Sequence, residues 1–534
     1  MAPTLADIFV HASPNADALV IPEPLSADPS SIATALTYGD LKCTLLGFQT
    51  QLAAQGLQPG DVISSIFTNT LECVVAFLGT TLMRCVAAPL NPQLAQSELE
   101  FYLDDAQTKI LLVPRGTSDD HPALKAAQAH AKCRVWEVYQ NRTAPGGIAV
   151  VPHGGHGTPA AAVATDPLPT EFVHQPEPED IALLLHTSGT TGRPKAVPLT
   201  HANLTRSMHN IIGTYKLGPA DRTYLVMPLF HVHGLVAGLL ATLASSGRAV
   251  VPSKFSASRF WADVVAQGCT WYTAVPTIHQ ILLRHPSPAT GQHRLRFIRS
   301  CSSALAPVIH QQLEDTYGVP VLEAYAMTEA AHQMTSNPLP PQPRKAGTVG
   351  LGFGVDVGIF DESGLQLDTG LEGEICVRGP NVTHGYLNNP TANAVSFHDG
   401  GWFRTGDQGR QDTDGYLAVT GRIKELINRG GEKISPVEVD DILLRHPQVT
   451  DAVTFGVPDE IYGQEVHAAV IPKADADGQV TEASVKDFCR QSLAAFKVPK
   501  KVYIVDDFPR TATGKVQRRV VAQHFLNISA KAQP

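Results

Sequence analysis

The sequence predicts an α/β protein with mostly parallel sheet and more than one domain. Three observations predict it. Up to about residue 135 the chain alternates strand and helix signals. Residues 61–67 read as a strand, 70–84 as a helix, and 86–90 and 109–113 as further strands. That rhythm is the mark of βα units. The chain has 534 residues, too many for one core and enough for about two to four domains. From about Ile427 the pattern changes to strand, helix and strand signals around residues 435–446 and 466–472.

Composition narrows the classes. With 43% hydrophobic and 17% charged residues, the chain suits a globular enzyme. A formal charge of −9 argues against nucleic acid as the main partner. The final stretch is different: from Ser484 onward there are ten Lys and Arg against three Asp and Glu. Such a tail is either a solvated basic face or a surface that docks onto phosphates. Eight cysteines are scattered without a C-x-x-C pair, as expected of reduced thiols and not of a disulfide framework or zinc site. No Lys or Arg precedes Lys42, so no secretory or mitochondrial leader is expected. The most apolar stretch, residues 232–251, is broken by His233, three glycines and Arg248. It reads as core, and no membrane span is expected. The last residues are Ala-Gln-Pro and not S-K-L. The expected location is cytoplasmic, with the peroxisome left open. Residues 140–178 are rich in Gly, Pro, Ala and His and read as a long irregular connection.

The next stretch organises the chain. An apolar run, residues 181–185, reads as a buried strand. It breaks into His186-Thr187-Ser188-Gly189-Thr190-Thr191-Gly192-Arg193-Pro194-Lys195. Glycines let backbone N–H groups turn toward an anion, hydroxyls add donors, and Lys195 adds charge. This reads as a cradle for the β- and γ-phosphates of a nucleotide, with a surface turn as the alternative for a loop of Ser, Thr and Gly alone. It is not the G-x-x-x-x-G-K-[ST] loop that opens a helix. Here Pro194 separates the last glycine from the lysine, and another short apolar run, 196–199, follows. The loop therefore joins two strands, with Thr200 as N-cap of a helix through Tyr215.

The thirteen residues 183–195 resemble the phosphate loop of the acyl-adenylate-forming superfamily, which includes acyl-CoA synthetases, coumarate-CoA ligases, luciferases and peptide-synthetase adenylation domains. Further segments carry the resemblance. Met227-Pro-Leu-Phe-His231-Val-His233-Gly234 is similar to the P-x-F-H segment beside the acyl pocket. Phe297 to Ala304 ends in small residues, Ser302 and Ser303 among them, where nucleotide and acyl groups need room. Glu323-Ala324-Tyr325-Ala326-Met327-Thr328-Glu329 is similar to the Y-G-M-T-E segment, with Ala326 in place of glycine. Trp402 to Asp407 matches W-x-x-T-G-D, and Gly421-Arg422-Ile423-Lys424 follows.

The resemblance implies a fold and a set of roles. It implies a large N-terminal adenylating domain, residues 1–421, with mostly parallel sheets flanked by helices plus a β-rich subdomain. A hinge follows at 422–426, and a small mobile α+β domain at 427–534. Thr187, Ser188, Gly189, Thr190, Thr191, Gly192 and Lys195 would cradle ATP, Ser303, Glu323 and Ala324 would also bind the nucleotide, and Tyr325 would pack against adenine. Thr328 would bond the α-phosphate, Asp407 and Arg422 the ribose or phosphate. Glu329, with Thr190, would hold Mg²⁺, a hard cation that takes carboxylate and phosphate oxygens. His231 would arrange the reacting carboxylate. Lys424 falls at the hinge, Gly430 and Gly431 face CoA, and Lys515 is the catalytic lysine of the first half-reaction.

The chemistry so implied is activation of an acid. Attack of a carboxylate on the α-phosphorus of ATP makes AMP the leaving group, and the thiol of CoA then displaces it. Two anions must meet, so fixed cations and N–H donors are the remedy, each worth roughly 3–4 kcal/mol in comparable sites. Within the superfamily the whole chain is most similar to oxalate-CoA ligase-like members of plants and fungi. Oxalate keeps a second carboxylate after one is activated, which is costly to bury without donors. His233, Ser302 and His332 would supply them. The rivals are a ligase for malonate, a medium-chain fatty acid or a cinnamate, and, in another class, a luciferase-like oxygenase. The expected partners are the small acid, ATP and CoA, and the expected assembly a monomer or homodimer.

Overall fold

The computed structural model describes residues 3–22, 34–130, 133–154, 168–187, 194–473, 480–510 and 516–531. Ser188 to Arg193 and the 511–515 turn with Lys515 lie outside the described residues.

Two large sheets form most of the molecule. The first has seven strands, in the order Ile148–Pro152, Arg134–Gln140, Ile110–Pro114, Val62–Ser65, Val86–Pro89, Ile181–Thr187 and Lys195–Thr200. Its middle is parallel and only its two ends are antiparallel. Strands such as Ile110–Pro114 are apolar on both faces because helices cover both sides, the usual fate of a parallel strand. One cover is the helix Leu71–Thr81, whose N-cap Thr70 accepts from the Cys73 amide.

The second sheet has nine strands. Five central ones, Val321–Met327, Phe297–Ser300, Trp271–Ala274, Arg222–Tyr224 and Arg248–Val250, run parallel, joined by Asp17–Ile21. Antiparallel strands Thr34–Thr37, His332–Ser336 and Leu351–Gly352 close its edges. In a parallel sheet the carboxyl ends of the strands open on one side, and ligands bind there. Ser300, Ala274 and Met327 all end strands of this sheet.

A five-stranded antiparallel sheet, residues 356–422, follows. A short 3₁₀ turn, Ile423–Glu425, leads into a last five-stranded sheet built wholly from residue 427 onward. That sheet has its own apolar core, including Ile427, Val439, Val466 and Val502. The two α/β sheets, the antiparallel sheet and this smaller β-rich body agree with the expected fold class.

One local outcome differs from the sequence reading. The stretch 140–178 is not irregular throughout. Ile148–Pro152 is a strand paired antiparallel to Arg134–Gln140, because four buried apolar residues, Ile148 to Val151, complete that edge. Residues 155–167 lie outside the described residues. The apolar stretch after His231 is helical: a π-helix, His233–Leu240, runs into the α-helix Ala241–Ala244. It is buried all round, as core and not as a span. Among the described residues no helix is long and apolar enough to cross a membrane. All eight cysteines are free.

Candidate active site

The phosphate-loop strands form as expected. Ile181–Thr187 and Lys195–Thr200 pair antiparallel, with Thr187 opposite Lys195. The two strands that flank residues 188–193 are thus anchored to each other. Thr200 then caps the helix His201–Tyr215, its side chain accepting from the Asn203 amide.

Lys195 does not stand alone. Its ammonium lies 4.4 Å from the ring centre of Tyr386. The Tyr386 hydroxyl donates to Glu329 Oε1 at 2.9 Å. Lys195, Tyr386 and Glu329 therefore meet at one place. Burial pushes the Lys195 pKa down, with Glu329 opposing and Lys424 assisting. Burial likewise pushes Glu329 up, against the Tyr386 hydroxyl and Lys195. Each charge is held out of water at a cost that a bound counter-ion would offset. A buried carboxylate with one hydroxyl donor and a nearby ammonium fits a Mg²⁺–phosphate pair. Glu329 sits in a 3₁₀ turn, Thr328–Ala330, that ends the strand Val321–Met327.

Tyr325, Asp407 and Arg422 form a linked trio. The Tyr325 hydroxyl donates to Asp407 Oδ2 at 2.5 Å, and Arg422 Nε donates to Asp407 Oδ1 at 3.0 Å. Register explains the second contact, since Asp407 and Arg422 are paired across adjacent antiparallel strands. Glu323 and Ala324 are buried in the same strand as Tyr325. Burial holds the Glu323 carboxyl up at about 8. Ser303, beyond the end of its strand, is exposed, its hydroxyl donating to the Ser302 carbonyl at 2.9 Å.

The third group is the histidine wall. His233 Nδ1 lies 3.0 Å from Ser302 Oγ, and Nε2 lies 2.6 Å from Thr273 Oγ1. The His233 amide donates to His231 Nδ1 at 3.2 Å. The His332 ring is 5.2 Å from that of His233, and His332 is 1% exposed. Both His332 nitrogens lack a hydrogen-bond partner among the described residues. A buried polar atom left so costs roughly 1–3 kcal/mol. Burial, then the nearby Arg299 cation, holds both imidazoles well below their ordinary pKa, so they are neutral near pH 7. Ser302 and His332 have φ of +75° and +107°. Non-glycine residues rarely adopt such angles, and they cluster at functional sites.

His231, His233, Ser302 and His332 thus converge at the carboxyl ends of the parallel strands. Sequence reasoning missed Tyr386 and Thr273 and gave Arg299 no role. A tyrosine and a threonine in apolar surroundings carry no local signal. Arg299 is a charged residue inside a strand that otherwise reads as core, and that mismatch was the available clue.

The smaller body carries the remaining candidates. Gly430 and Gly431 make the two-residue turn between strands Ile427–Arg429 and Glu432–Ile434, both at positive φ, which such hairpins require. Lys424 is exposed in the 3₁₀ turn between the two bodies. Arg510, next to the 511–515 turn, reaches the large body: its Nη1 donates to Thr277 Oγ1 at 3.3 Å, and Nη2 bonds Asp451 at 2.5 Å.

Comparison with known proteins gives relatives over nearly the whole length. The AMP-binding enzyme family profile matches residues 9–387, and the AMP-binding enzyme C-terminal domain matches 438–515. The oxalate–CoA ligase of Arabidopsis thaliana is 52% identical over 476 residues, covering 88% of this chain and 90% of that protein. The oxalate–CoA ligase of Saccharomyces cerevisiae is 47% identical over 515 residues, covering 93% and 94%. Among solved structures, ATP-bound MatB from Rhodopseudomonas palustris gives a TM-score of 0.85 at 31% identity, covering 98% of this chain and 99% of that one.

Proposed function

The chain belongs to the AMP-binding enzymes, and on that premise we propose that it is an AMP-forming acid–thiol ligase whose acid is oxalate. ATP and CoA are the other substrates, and Mg²⁺ is the required cation. The products are oxalyl-CoA, AMP and diphosphate.

The observation that carries the choice of acid is the histidine wall. A pocket for an octanoyl or coumaroyl group is lined by apolar side chains. Here a half-buried serine, two neutral buried imidazoles and a guanidinium stand together, and one imidazole has no partner at either nitrogen. The N–H that a neutral His332 carries is a donor in want of an acceptor. The second carboxylate of a short diacid is such an acceptor.

The other residues take roles in this reaction. Asp407, Arg422 and Tyr325 hold the ribose and adenine end. Thr328 bonds the α-phosphate, and Lys195 draws charge from the departing diphosphate. Glu329 would hold Mg²⁺, whose charge offsets that of the phosphates. His231, fixed by the His233 amide at Nδ1, offers its Nε2 proton to the reacting carboxylate. That carboxylate attacks the α-phosphorus, diphosphate leaves, and the CoA thiol then attacks the carbonyl and expels AMP. Lys515 serves the first step. Domain assignments stay as proposed: adenylating domain to 421, hinge at 422–426, small domain from 427, with Gly430 and Gly431 meeting CoA.

A screen of acids for CoA- and ATP-dependent AMP release tests this. Oxalate should exceed malonate, octanoate and coumarate by at least about tenfold in kcat/KM, the scale that unpaired polar groups impose on the wrong acid. Octanoate or coumarate ahead of oxalate by that factor would refute the proposed acid. Light emission with O₂ would place the protein with the oxygenases instead.

A further inference from the structure

Arg299 is fully buried, yet every partner it has by hydrogen bond is neutral. Nε donates to the Tyr215 hydroxyl at 2.7 Å, Nη1 to Thr273 Oγ1 at 3.1 Å, and Nη2 to Gln333 Oε1 at 3.3 Å. A buried guanidinium normally has a carboxylate beside it. This one has donors and acceptors but no balancing charge among those partners.

The directions of the hydrogen bonds follow from the inventory of donors. Arginine has no acceptor, so Thr273 Oγ1 accepts from it. The Thr273 hydroxyl has one proton to give, and His233 Nε2 lies 2.6 Å away. A neutral imidazole that accepts at Nε2 carries its proton on Nδ1. His233 Nδ1 therefore donates to Ser302 Oγ at 3.0 Å. The Ser302 hydroxyl proton is left to point toward the site. Each donor in the row polarises the next, which strengthens such chains in a dry interior.

The charged and titratable groups around this row come from several elements. His231 precedes the π-helix that His233 opens, Tyr215 ends the helix 201–215, and His279 lies on the helix Pro276–Leu283. Cys301 lies two residues after Arg299, and His332 opens the strand His332–Ser336. No carboxylate is among them.

We propose that Arg299, through Thr273 and His233, is a positioning residue that turns the Ser302 hydroxyl toward the non-reacting carboxylate of a short diacid, so that the pocket selects dianions. The inference rests on the proposed acid class and assigns the selectivity to one row of four side chains. Arg299 does not touch the substrate. It acts by fixing the tautomer of His233 and by leaving one positive charge for the acid to balance.

The test uses oxamate, which has the shape of oxalate with an uncharged amide at one end. In the wild-type enzyme the inhibition constant of oxamate should exceed the KM of oxalate by at least about tenfold. Thr273→Val keeps the shape of the side chain and removes the hydroxyl. It should raise the oxalate KM about 10- to 100-fold, leave the ATP KM within about twofold, and narrow the oxalate–oxamate gap to about threefold. Thr273→Ser should restore the wild-type pattern.

An oxalate KM unchanged in Thr273→Val, or an ATP KM that rises with it, overturns the relay. Wild-type enzyme that binds oxamate as well as oxalate overturns it too, and that measurement needs no variant to fold. If malonate replaces oxalate in the acid screen, the proposed acid fails alone, and the half-amide of malonate takes the place of oxamate. A monocarboxylate as best substrate overturns both.

Discussion

Glu323 shows how burial dominates a residue's behaviour. It is 6% exposed and accepts the Gly347 amide at 3.2 Å. Burial, with Asp441 of the smaller body adding to it, lifts its pKa to about 8. In the unfolded chain it titrates near the ordinary carboxylate value, about 4.3. Between those values the folded state holds a proton that the unfolded state has lost. Stability therefore falls as pH rises through that window and levels off above about 8. Glu323→Gln removes this dependence. Its melting temperature relative to wild type should be higher at pH 8 than at pH 5, by on the order of 2 °C. An equal difference at both values would contradict the assignment. The candidate site was legible through the family resemblance at His231, His233, Ser302 and His332, which the fold brings together. It was illegible at Thr273 and Tyr386, whose importance comes only from what folding places beside them.

At the scale of elements, the βα rhythm of the first 135 residues translated directly, because parallel strands must be apolar on both faces and that pattern is local. The helix after the phosphate loop was equally legible, since its start is written in one residue. Thr200 Oγ1 accepts the Asn203 amide at 3.1 Å, and Asn203 Oδ1 accepts the Thr200 amide in return at 3.0 Å. Thr200→Ala should cost about 1 kcal/mol locally. Hydrogen exchange at the first-turn amides should speed up roughly fivefold, with the middle of the helix unchanged. Unchanged exchange in that turn would refute the cap. The strand Ile148–Pro152 was not legible, because its neighbours on both sides are Gly- and Pro-rich and its partner strand is what holds it. The π-helix at His233 was not legible either. It depends on Gly234 lying against the Met227 and Pro228 carbonyls, with no room for a side chain.

For the whole molecule, the account requires two bodies that share one reaction. Arg510 already spans them through Thr277, and Glu323 is near enough to Asp441 to sense its charge. The Arg510 contact brings the chain just before residue 511 to the large body. Lys515→Ala should lower adenylate formation by at least about a hundredfold, the scale for losing one donor to developing charge. It should spare thioester formation from supplied oxalyl-adenylate. Equal loss in both half-reactions would remove Lys515 from the first step. The proposed division of labour between the bodies comes only from the resemblance, because nothing in local composition says that the last hundred residues would complete a site begun by the first four hundred.

Oxygen tracing gives the most direct test of the central claim that a carboxylate of oxalate attacks the α-phosphorus of ATP. With ¹⁸O-labelled oxalate, ATP and CoA, each AMP released should carry one ¹⁸O and diphosphate none. Unlabelled AMP, or label in diphosphate, would contradict it.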